Sequence, residues 1–95
     1  MHRTTIHLEA FDKPFSVIVE PWAAPLFEIQ PGERCEIVVE HPSIEPTVTA
    51  GVLNGTMYLT VYESGSTFRF VRQGEVEFEM PIAIPMLTGR LPGEA

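Results

Sequence analysis

Ninety-five residues, 44% of them hydrophobic and 20% charged, suffice for one packed core and fall short of two. Six basic residues against thirteen acidic ones give a formal net charge of -7, which repels phosphate backbones and sets nucleic acid outside the expected partners. One cysteine excludes an internal disulfide, and no run nears the ~18 apolar residues of a membrane helix, so a cytoplasmic chain with no membrane partner is expected.

The opening residues, Met1 to Ile6, run directly into an alternating segment without the apolar stretch of a signal peptide. Nine prolines and seven glycines break the sequence at short intervals, and between them lie runs rich in Val, Ile, Thr, Phe and Tyr. Such side chains fit a pleated, half-buried surface, so the runs read as strands. Eight are expected, near residues 4–10, 15–20, 26–29, 34–40, 47–53, 56–63, 67–71 and 75–80. Pairing Ala10 with Phe15, Leu8 with Val17 and Ile6 with Val19 makes a first hairpin around Phe11-Asp12-Lys13-Pro14. Pro31-Gly32 reads as a turn, because Pro presets the first central φ and Gly supplies the second. Cys35, Ile37 and Val39 then form an inward row.

Asn54-Gly55 is the clearest signal, since both central residues of a type I′ turn need positive φ. It pairs Leu53 with Thr56, Val52 with Met57, Ala50 with Leu59 and Val48 with Val61, with Gly51 beside Tyr58 on the other face. The Tyr58 ring is expected to cover that glycine. Ser64-Gly65 extends the pattern by pairing Val61 with Phe68. A three-residue loop, Arg72-Gln73-Gly74, then sets Phe70 opposite Val76 and Arg69 opposite Glu77. Residues 47–80 thus read as a four-stranded meander whose inner side holds Val48, Ala50, Val52, Met57, Leu59 and Val61, followed by Phe68, Phe70, Val76, Phe78 and Met80. One apolar face must be buried against another layer. The expectation is a single all-β domain over 1–95, an antiparallel β-sandwich of about eight short strands, with a partly open β-barrel as the alternative. The proline-bounded tail 81–95 is expected to lie extended along a sheet edge and to fray toward its end.

Chemistry-bearing residues are sparse. A blue-copper site needs two imidazoles, a thiolate and an axial Met at one end of a sandwich. Here Cys35 points inward mid-strand, while His2, His7 and His41 are dispersed and read as surface residues. Serines 16, 43, 64 and 66 have no histidine spaced for nucleophilic work. Glu75, Glu77 and Glu79 alternate on the solvated face of an edge strand, where charge discourages strand addition. No catalytic residue, metal ligand or cofactor is therefore assigned.

What remains is surface. Tyr58, Tyr62, Val71 and Arg69 fall on one outer face in the expected register, an amphipathic set of the type enriched at interfaces. Trp22 sits in a proline-bracketed connection, where it plugs one end of the core or projects as an anchor. The run Val19-Glu20-Pro21-Trp22, with Pro31-Gly32-Glu33 after it, resembles small uncharacterised bacterial β-sandwich proteins over residues 15–75. The resemblance implies a small sandwich and no activity. The functional expectation is a non-enzymatic interaction or assembly module, self-associating or binding another protein through Tyr58, Tyr62, Arg69 and Trp22. The alternative is a small metal- or ligand-binding sandwich, cupredoxin-like or cupin-like, that uses Cys35 and the histidines. A structural part of a phage or surface assembly would look the same in sequence.

Overall fold

A computed structural model of the chain describes residues 1–20 and 26–81. All eight expected strands are present: β1 His2–Leu8, β2 Phe15–Glu20, β3 Phe27–Ile29, β4 Cys35–His41, β5 Val48–Leu53, β6 Thr56–Val61, β7 Thr67–Arg72 and β8 Glu75–Pro81. They form two four-stranded sheets, ordered β1-β4-β7-β8 and β3-β2-β6-β5. The fold is an all-β sandwich, not a closed barrel. Its core joins both sheets, with Leu8, Ile37, Val39, Phe68 and Phe70 from one against Val17, Val19, Ile29, Leu59 and Val61 from the other. Phe27 of β3 stacks on Phe70 of β7 across the gap, ring centroids 4.2 Å apart.

The β5–β6 hairpin has the expected register throughout, Leu53 with Thr56 through Val48 with Val61. Asn54 and Gly55 turn it at φ 50 and 80, the positive pair a type I′ loop requires. The Pro31-Gly32 turn also forms, with the Glu33 N–H donating to the Gln30 carbonyl at 3.1 Å. Cys35, Ile37 and Val39 are all buried.

Connectivity between sheets departs from expectation at two places. β1 pairs antiparallel with β4 and not with β2, while β2 pairs antiparallel with β3 and parallel with β6. The four-stranded meander is likewise absent: β6 and β7 lie in different sheets, so residues 62–66 arch across the sandwich. In-out alternation is blind to this choice. A strand that arches to the facing sheet keeps its apolar residues inward, as does one that folds back beside its predecessor.

The last hairpin also differs. Gln73 and Gly74, at φ 53 and 82, form a two-residue loop between Arg72 and Glu75, and a bulge between Phe70 and Val71 absorbs one residue. Val71 pairs with Val76, and Phe70 with Phe78. The bulge leaves Glu77 as the extra residue on β8 and restores Phe78 to the core side. Val76 consequently faces out, 55% exposed, and Arg69 lies opposite Glu79 where Glu77 was expected. Tail residues 82–95 lie outside the described residues.

Candidate functional site

The expected outer patch is not assembled. Tyr58 lies half-buried on the outer side of β6 in one sheet, and Tyr62, 58% exposed, follows that strand. Arg69 and Val71 belong to β7 in the other sheet. Trp22 lies outside the described residues. Gly51 does pair with Tyr58, but a Cβ built on Gly51 would meet nothing within 4 Å, so the ring does not cover it.

Arg69 has a structural partner set instead. Its guanidinium contacts Glu40 at 3.2 Å and Glu79 at 3.6 Å, and Arg3 reaches the same Glu40 through Nε at 2.9 Å and Nη2 at 2.7 Å. Arg3, Glu40, Arg69 and Glu79 come from β1, β4, β7 and β8, one from each strand of the sheet. The Arg3 hydrogen bond, aided by Arg69, holds the Glu40 carboxyl below the usual carboxylate range against the opposing effect of its burial.

His41 was expected at the surface and is buried, 8% exposed. Its Nδ1 accepts from the N–H groups of Ser43 at 3.1 Å and Ile44 at 3.2 Å. That fixes the tautomer: Nε2–H donates to the Ser64 carbonyl at 2.9 Å. The same arch is pinned by Glu63, whose carboxylate accepts the Thr47 N–H at 2.7 Å, and by Ser66 Oγ donating to the Glu63 carbonyl at 2.8 Å. Burial raises the Glu63 carboxyl, but hydrogen bonds led by the Thr47 N–H outweigh it and hold the group low.

Arg72 closes one end of the sandwich. Its guanidinium donates to Glu77 at 2.8 and 3.2 Å, to Glu33, and at 3.0 Å to the Glu28 carbonyl on the facing sheet. It lies 5.0 Å from the Phe70 ring centroid and 4.0 Å from Cys35 Sγ. Burial pushes the Cys35 thiol up, only partly offset by Arg72, so the buried sulfur stays a protonated small hydrophobe. His7 points out and pairs with Glu36 at 3.3 Å, on the opposite side of the sheet from Cys35. Among the described residues no three of His, Cys, Asp and Glu converge as metal ligands, and no helix is long and apolar enough to cross a membrane.

The feature that sequence reasoning misplaced is the far half of the β5–β6 hairpin. Ala50 and Val52 face the core side by alternation, yet both are exposed, Val52 at 69%, beside Leu53 at 62%. Val48, at the other end of β5, packs on the core. The hairpin therefore overhangs the interior it was expected to line. β5 is an edge, and its outer hydrogen-bonding groups meet no strand among the described residues. Residues 47–62 contain no charged residue and no proline in a chain that is 20% charged. That run was the available signal. Alternation alone cannot reveal where the facing sheet stops. Comparison with known proteins finds no matching family model, no matching curated protein and no matching solved structure.

Proposed function

We propose that the chain is a non-enzymatic interaction module whose contact surface is the uncharged β5–β6 hairpin. One observation carries the reading: Ala50 and Val52 on one face and Leu53 on the other are apolar and exposed on an arm that overhangs its own core. Exposed apolar surface on an edge strand invites aggregation unless a partner covers it, so its retention points to use. Tyr62, exposed beside Thr47 at the base of the hairpin, adds an amphipathic anchor of the kind interfaces favour.

Val52→Lys with Leu53→Lys tests this, because both side chains already face water. The double variant should keep its circular dichroism and melting temperature. It should lose at least about tenfold in partner capture or self-association, roughly 1.4 kcal/mol. Tyr58→Ala with Tyr62→Ala should weaken the same contacts less. A folded lysine variant with the same capture profile and sedimentation as the parent would sink the reading. The competing metal- or ligand-binding reading gains nothing from the geometry, since Cys35 is buried beneath Arg72 and His41 has both ring nitrogens engaged.

A further inference from the structure

We propose that β5 pairs antiparallel with β5 of a second copy of this chain, about a two-fold axis at Ala50, fusing two sheets into one. The inference rests on the hairpin being the contact surface and names what it contacts.

The four sheet edges are not alike. β8 carries Glu75, Glu77 and Glu79 and ends at Pro81; β3 has three residues; β1 carries His2, Arg3 and His7. Short length, charge and proline each obstruct strand addition. β5, with the sequence Val-Thr-Ala-Gly-Val-Leu, has none of these protections. Two copies at a net charge of -7 repel, and the uncharged run 47–62 is where they can meet without setting like charges face to face.

Pairing parity fixes the register. In a two-residue hairpin the residues flanking the loop exchange hydrogen bonds, so Leu53, Gly51 and Thr49 bond to β6. The Tyr62 N–H donating to the Thr47 carbonyl at 3.3 Å continues that odd series. Val48, Ala50 and Val52 therefore turn their N–H and C=O groups toward the edge that no described strand covers. Centred on Ala50, Ala50 meets Ala50 of the second copy and Val52 meets its Val48, an isologous arrangement in which every contact occurs twice. The overhanging Val52 then lies against a Val48 that is seated on the other copy's core, so each overhang is covered by the other core. On the opposite face, the open space over Gly51 receives the other copy's Thr49. An interface of one short strand from each copy falls among weak, transient contacts, and dissociation in the micromolar range is expected.

Sedimentation equilibrium of the full chain from about 5 to about 500 µM brackets that range. A monomer–dimer equilibrium is expected. Ala50→Pro removes an outward N–H that the β5–β6 ladder does not use, and should weaken dimerisation at least about tenfold. Should that variant misfold, Val52→Lys decides alone, with the same expected loss. Ala50→Cys should cross-link on mild oxidation, because facing Cα atoms about 5.5 Å apart suit a disulfide. Val52→Cys should not, since the two copies of position 52 lie about 13 Å apart along the strands. A monomer at every concentration, or a dimer indifferent to both edge variants, overturns the proposal. Monomeric protein whose capture of another protein is lost in the Val52→Lys, Leu53→Lys variant overturns the second copy alone. Unchanged capture and sedimentation in that variant overturn the module reading as well.

Discussion

At His41 a single ring engages three backbone groups: the N–H groups of Ser43 and Ile44 and the carbonyl of Ser64. Removing the ring empties a buried position and leaves all three groups, on exposed residues, to water, each lost hydrogen bond costing about 0.5–1.5 kcal/mol. His41→Ala should therefore lower unfolding stability by about 2–4 kcal/mol in urea titration. His41→Asn should recover part of that loss, because an Asn carbonyl oxygen reaches N–H groups two and three residues on, as Nδ1 does here. If the two substitutions cost the same, the two N–H contacts are not what the ring provides. Gly65 is the companion position. At φ 91 it holds a conformation that L side chains resist, and a Cβ there would come 3.3 Å from His41 Nε2. Gly65→Ala should cost about 1–2 kcal/mol, and less in a His41→Asn background if crowding of the imidazole is part of it.

Arg72 joins three segments at once, because one guanidinium ties β8 through Glu77, β3 through the Glu28 carbonyl and the turn before β4 through Glu33. Arg72→Ala leaves two carboxylates facing each other and opens the end of the core over Cys35. It should cost about 2–3 kcal/mol and speed modification of the Cys35 thiol by an aromatic disulfide reagent. Thiol reactivity equal to the parent's would show that the plug does not guard that end. This end of the molecule was largely hidden in the sequence. Arg72 was expected to be loop, and the bulge that delivers Glu77 to it has no signature in the Phe-Arg-Phe-Val-Arg pattern. Strand positions and the Asn54-Gly55 register were legible because side-chain alternation and loop dihedrals are local. Sheet membership was not, because Val61 and Phe68 face inward whether β7 lies beside β6 or across from it. The exposed hairpin tip shared that fate: whether Val52 is core or overhang depends on the reach of a sheet built from distant segments.

Across the molecule, acid response follows from where carboxylates are held low. Hydrogen bonds from Arg3 depress Glu40, Thr47 outweighs burial at Glu63, and Arg72 depresses Glu77. A carboxyl depressed by folding binds protons more readily when unfolded, so its contribution is complete above its unfolded value, near 4.5, and drains away as pH falls through the lower folded value. Stability should thus hold from neutrality to about pH 5, where shedding part of the -7 charge relieves self-repulsion, and then fall steeply below about 4.5. Cys35 acts on the alkaline side with the opposite sign: its raised folded value keeps the thiol protonated, so stability declines once pH exceeds the unfolded value near 9.0. Glu40→Gln separates the carboxylate's share from general charge effects. At pH 7 it removes the anion that both Arg3 and Arg69 contact and should cost about 1–2 kcal/mol. As pH falls below 4.5 toward the lower folded value, the parent's own Glu40 takes up its proton, so the two proteins should converge in urea midpoint. A gap that stays constant between pH 7 and pH 3 would show that Glu40 acts through packing and not through its charge, and that the four-strand ion ladder adds nothing to acid sensitivity.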